Sequence, residues 1–133
     1  MTQEEKQLLL QYLSAALPYG VMVNVEGYDT EKLIGIENET IITKATPTSY
    51  SDKGVFPIDI VKPYLRPMSS MTLTENQEYN EFLEDLTDYD NHLINTNFYK
   101  LQDWLNKHHF DYRDLISKGL VIAVTKEDNP YED

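Results

Sequence analysis

The stretch VMVNVEGYDTEKLIGIENETIITKA, residues 21–45, decides the fold class. Val21, Val23 and Val25 alternate along one side, the period of a half-buried strand. Two further apolar runs, about 32–36 and 40–45, flank Glu37-Asn38-Glu39. Asparagine tolerates the left-handed backbone that a tight turn needs, so these runs read as two strands joined at Asn38. Asn38-Glu39-Thr40 also matches a glycosylation sequon, read as chance because no secretory signal precedes it. A block of local strands beside separate helices argues α+β. The expected fold is a small antiparallel sheet, or a partly open SH3-like barrel, packed with three to four helices.

Upstream, Thr2 and Glu5 have the spacing of a capping box, in which two orphan backbone donors are satisfied reciprocally. Leu8, Leu9, Tyr12, Leu13, Ala16 and Leu17 then recur at helical spacing until Pro18 and Gly20 stop the helix. Downstream, TPTSYSDKG (46–54) is loop-like. In VFPIDIVKPYLRPMSS (55–70), Val55 and Phe56 end a short strand, and Pro57 suits the first position of one helical turn through Val61. Pro63 and Pro67 forbid a long regular element, which predicts a rigid corner that packs Ile58, Val61 and Leu65 inward.

Thr72 with Glu75 is a second capping box. In the helix that follows, Tyr79, Phe82, Leu83 and Leu86 mark one face. Glu75, Glu78, Glu81, Glu84, Asp85 and Asp88 are assigned to the opposite one. No Lys or Arg lies between Arg66 and Lys100. DYDNHLINTN (88–97) breaks the pattern, and a third helix is expected from about Thr96 to His108, with Phe98, Leu101, Trp104 and Leu105 as its stripe. The apolar LVIAV (120–124) reads as an edge or closing strand. The whole chain, 1–133, is read as a single domain with a strand-rich part at about 20–65 and a helix-rich acidic part at about 72–119.

WLNKHHFDYRDLISKGL (104–120) holds two of the three histidines and admits two readings. As a helix junction, Asp111 caps a short helix from Tyr112 to about Lys118, with Asp114 at N3 in its electropositive first turn. Phe110 and Leu115 have the spacing of a hydrophobic staple. Gly119 supplies the left-handed stop. Lys107 and His108 meet the negative end of the preceding helix, on which Trp104 lies. As a metal site, His108, His109 and Asp111 would be the ligands. Adjacent helical residues point about 100° apart, whereas a helical ligand pair is usually spaced i, i+4, so the junction reading is favoured. His92, near Asp88 and Asp90, is a further weak ligand candidate.

Composition excludes several classes. With no cysteine there is no disulfide, thiolate zinc site or cysteine nucleophile. MTQEEKQLLLQYL carries acids ahead of its leucines, unlike a secretory signal, and no apolar run is long enough to span a membrane. A cytoplasmic location is therefore expected. The net charge of −12 is uneven. Residues 1–66 carry nine acids against six Lys and Arg, and residues 67–133 carry fourteen against five. Such a chain is repelled by nucleic acid and by anionic membrane. A charge this far from zero keeps a protein dispersed, and it also suits a partner protein with a basic surface. The five glycines form no phosphate-cradling loop, and no nucleophile elbow is present. Ten tyrosines fit core and rim packing, or an aromatic-rich interface.

IDIVKPYLRPMSSMT (58–72) and WLNKHHFDYRDLISKGL (104–120) resemble motifs of a group of small uncharacterised proteins from gut anaerobic bacteria, their phages and other mobile elements. The resemblance spans about Val55 to Lys126, and the group often has glycine where Asp114 stands. It implies a bacterial cytoplasm and a phage or mobile-element origin, and brings no catalytic residue, substrate or cofactor. The expected function is a non-enzymatic acidic accessory protein that binds another protein, with the acidic helix imitating nucleic acid. The alternatives are a structural or assembly component of a phage particle, and a metal-dependent enzyme using His108–Asp111. The C-terminal KEDNPYED (126–133) would add acids to the helix if it lies nearby. No cofactor is expected, and the oligomeric state is not legible.

Overall fold

The computed structural model describes residues 1–28, 30–45, 54–86 and 91–131; the side chains of Ala45 and of residues 91–97 lie outside that description. Helix α1 spans Gln3–Ala16. The Glu5 amide donates to Thr2 Oγ1 at 3.1 Å, and the Thr2 amide donates to Glu5 Oε1 at 2.8 Å, so the capping box is complete. Pro18 lies in a single 3₁₀ turn, Leu17–Tyr19, and Gly20 at φ +71° ends it.

Strands β1 (Met22–Val25), β2 (Thr30–Glu37), β3 (Thr40–Ala45), β4 (Gly54–Pro57), β5 (Val61–Leu65) and β6 (Ile122–Ala123) form one sheet in the order β4-β3-β2-β1-β5-β6. Every pairing is antiparallel except β5 with β6. This is an α+β fold with an open sheet, edged by β4 and β6, rather than a barrel. Asn38 takes φ +56° in the β2–β3 turn, as its side chain allows.

The expected corner at 55–70 contains more order than proline content suggests. Pro57 precedes a 3₁₀ turn, Ile58–Ile60, and the chain then runs directly into β5, an interior strand with Pro63 at its centre. Glu26 N–H donates to Ile60 C=O, so residues 60, 62 and 64 face β1. Pro63 lies at the alternate phase, opposite Val23 in a pair that exchanges no ladder bonds. Its missing N–H faces the other edge, where β6 starts opposite Tyr64. Proline here breaks no ladder bond. Ile58, Val61 and Leu65 are buried, as their spacing predicts.

Leu9, Tyr12, Leu13 and Ala16 of α1 pack on Val21, Val23, Val25, Leu33, Ile41, Val61 and Leu65, with Leu115, Leu120 and Val121 closing the same core. Burying each large apolar side chain contributes about 1.5–3 kcal/mol relative to exposure. Helices α2 (Leu73–Leu86) and α3 (Asn91–Lys107) pack against each other and form a smaller, second core around Leu101, Leu105 and Phe110. Helix α3 starts about five residues before its expected beginning, so most of the anticipated break at 88–97 is helical. Asn and Thr are weak helix formers, but extending an existing helix adds one hydrogen bond per residue, and this overrides them.

Candidate functional site

The His-His stretch is where the two cores meet. The His109 amide donates to Asn106 C=O at 3.1 Å and the Phe110 amide to Leu105 C=O at 3.0 Å. These two bonds, with His109 at φ +62°, are the Schellman closure of a helix, with histidine at the position glycine usually takes. The chain then runs beside the end of β5. The Arg66 amide donates to His109 C=O at 2.7 Å, and the Asp111 amide to Arg66 C=O at 2.8 Å. Phe110 is fully buried in the second core.

The short helix expected from Tyr112 to Lys118 does not form. Asp114 stands at φ +59°, a left-handed conformation that interrupts a right-handed helix, so it has no N3 role. Asp111 still caps, further along. Its two carboxylate oxygens accept from the amides of Leu115 (2.8 Å) and Ile116 (2.9 Å). Gly119 at φ +71° ends this single turn, with the Leu120 amide donating to Leu115 C=O at 3.2 Å. Phe110 and Leu115 belong to different cores, so they do not form the expected staple.

Arg66 ties the junction to α2. Its guanidinium carbon lies 4.2 Å from the centre of the Phe110 ring, and its two terminal nitrogens donate to Glu75 Oε1 and Oε2 at 2.7 and 2.8 Å. Glu75 also completes the second capping box. It accepts from the Thr72 amide at 2.9 Å, while its own amide donates to Thr72 Oγ1 at 3.1 Å. His108 Nδ1 approaches Glu75 at 3.4 Å. The Arg66 hydrogen bonds hold the Glu75 carboxyl at a pKa of about 2, against the desolvation that would raise it. Glu75 is therefore paired, not part of a free acidic stripe. Sequence reading misses this because Arg66 lies nine residues upstream. The available signal was that Arg66 is the last cation before the acidic run.

Three of the other acids border the apolar stripe and do not stand opposite it. Glu78, Glu81 and Asp85 line a cavity of about 320 Å³ together with Phe82 and Trp104. Glu78 Oε2 accepts from Trp104 Nε1 at 3.0 Å. The indole is held by its neighbours: Tyr79 stacks at 6.2 Å between centroids, Phe110 at 5.6 Å, and Phe82 tilts against it at 5.8 Å. Glu84 is exposed and is not among the residues lining this cleft. Asp88 lies outside the described residues, as does the side chain of His92.

A second cavity, of about 470 Å³, is lined by Arg66, Thr72, Glu75, Lys107, His108, His109, Asn129 and Tyr131. Asn129 and Tyr131 thus stand near the start of α2, and the acids Glu132 and Asp133 lie outside the described residues. His108, His109 and Asp111 do not converge: His108 faces Glu75, the His109 ring stacks on Tyr131 at 3.8 Å, and Asp111 caps the following turn. Among the described residues no group of three His, Asp or Glu side chains is placed to hold a metal ion. No described helix is long and apolar enough to cross a membrane. Protein-family models, curated proteins and solved structures yield no match to the chain.

Proposed function

We propose that this chain is a non-enzymatic accessory protein that binds a basic surface of another protein through the α2–α3 cleft. The observation that carries this reading is the cleft itself, where Glu78, Glu81 and Asp85 surround an aromatic floor of Phe82 and Trp104. An arginine or lysine side chain carries an apolar stem and a cationic head. Such a side chain suits a site with carboxylates at the rim and aromatic rings below, where both Coulomb attraction and cation–π contact are available. The spacing of the carboxylates is sparser than the phosphates of a duplex, with one charge about every 1.7 Å of axis, so the acidic face supports recognition of a few basic side chains more than imitation of DNA.

Trp104 is the only tryptophan, so its fluorescence reports on the cleft directly. Titration with an arginine- and lysine-rich peptide is expected to change Trp104 emission and to saturate. Affinity should weaken at least about tenfold as salt rises from roughly 50 to 500 mM, since screening acts on exposed charge. In the variant Glu78→Gln/Glu81→Lys/Asp85→Lys, glutamine keeps an acceptor for the indole while the cleft loses its negative charge. This variant should melt near the parent and fail to bind. Binding that survives in the folded variant, or that ignores salt, removes the proposal.

A further inference from the structure

Residues 125–131 turn back after β6, and Tyr131 ends against the neighbouring strands β1 and β5. Within this segment the Thr125 amide donates to Asp128 C=O at 3.1 Å, the Asp128 amide to Thr125 Oγ1 at 3.0 Å, and the Tyr131 amide to Asn129 Oδ1 at 3.0 Å. Among the described residues, the segment's only hydrogen bonds to the rest of the chain are made by the Tyr131 hydroxyl. That hydroxyl accepts from the Met22 amide at 3.0 Å and donates to Tyr64 C=O at 2.8 Å. The β1–β5 register, with Val23 opposite Pro63, places Met22 opposite Tyr64. These two groups would otherwise form the next rung of the ladder. The phenol hydroxyl stands in that rung, and its ring stacks on His109 at 9°. The buried His109 Nδ1 has no protein partner.

We infer that residues 125–131 form a strap locked at one point, the Tyr131 hydroxyl in the Met22–Tyr64 rung, and that unlocking it uncovers His109 in the cavity beside Arg66. Asn129 and Tyr131 form one wall of that cavity, and the Tyr131 ring covers one face of the His109 imidazole at 3.8 Å. Because the attachment is a single side chain, one substitution tests it. This device is separate from the α2–α3 cleft, and neither reading depends on the other.

The test combines amide exchange at Met22 with modification of His109 by diethyl pyrocarbonate at neutral pH, read by peptide mapping on the full-length chain. In the parent, His109 should react more slowly than His108. Tyr131→Ala should raise the His109 rate and the Met22 exchange rate at least about tenfold each, as for loss of a local closed state. Tyr131→Phe keeps the ring on His109 and removes only the hydroxyl. It should speed Met22 exchange and raise the His109 rate as well, by less than Tyr131→Ala does, because the ring still stacks on the imidazole. Addition of p-cresol to Tyr131→Ala should restore protection at both places. The inference is overturned if folded Tyr131→Ala keeps His109 slow. If that variant does not fold, unchanged Met22 exchange in Tyr131→Phe overturns it.

Discussion

At the scale of single residues, three positions outside glycine among the described residues adopt left-handed backbone: Asn38, His109 and Asp114. Asparagine, aspartate and histidine are the types that enter this region most readily, so the chain's local chemistry agrees with its path. Asp114 is exposed, and only its carbonyl oxygen is engaged, accepting from Ser117 Oγ and Lys118 Nζ. Asp114→Gly should therefore be neutral or stabilising by up to about 1 kcal/mol, and Asp114→Ala destabilising by a similar amount. In the same series, Phe110→Ala should cost about 3–5 kcal/mol as a cavity in the second core. Asp111→Ala should cost about 1–3 kcal/mol because two amides lose their acceptor. Urea melts of the four variants check the order. Asp114→Ala more stable than Asp114→Gly would contradict the backbone argument.

At the scale of elements, α1 and α2 differ although both are fourteen-residue helices with complete capping boxes. Helix α1 buries Leu9, Tyr12, Leu13 and Ala16, whereas α2 has no fully buried residue and is held by α3 and by the Arg66–Glu75 pair. Packing, more than propensity, stabilises helices of this length. Hydrogen exchange of α2 amides should accordingly run at least about tenfold faster than that of α1, and Arg66→Gln should speed it further without affecting α1. Equal protection of the two helices would refute this account. The caps, the β2–β3 turn and the burial of Val21, Val23 and Val25 were legible in the sequence because each depends on neighbours within a few positions. The strand at Val61–Leu65 was not, because whether Pro63 breaks a ladder depends on which edge its missing N–H faces.

At the scale of the whole molecule, His109 and Glu75 each tie stability to acid. Burial, with lesser contributions from His108 and Arg66, lowers the His109 pKa to about 4 from its ordinary 6.5. Between these values the unfolded chain binds a proton that the folded chain refuses, so stability falls as pH drops from 6.5 to 4. Glu75, held at about 2 instead of 4.5 by Arg66, adds a second loss as pH falls from 4.5 to 2. Urea midpoints between pH 7 and 4 should decline, and His109→Gln should flatten the decline above about pH 5. A slope unchanged in that variant would show that His109 is not its source.

What the sequence determined by itself was whatever rests on composition and short-range pattern. It settled the α+β class, the two capping boxes, the Asn38 turn, the apolar faces of α1 and the acidic character of α2. The tertiary structure alone decided what the acids of α2 face. It brought Arg66 onto Glu75, turned Glu78, Glu81 and Asp85 towards Trp104 and Phe82, separated His108 from His109, and carried Tyr131 back to the rung between Met22 and Tyr64. The physical reason is distance along the chain. A cap or a turn is fixed by residues three or four apart, whereas an ion pair, a cleft or a latch depends on how elements far apart in sequence pack, which no local spacing encodes.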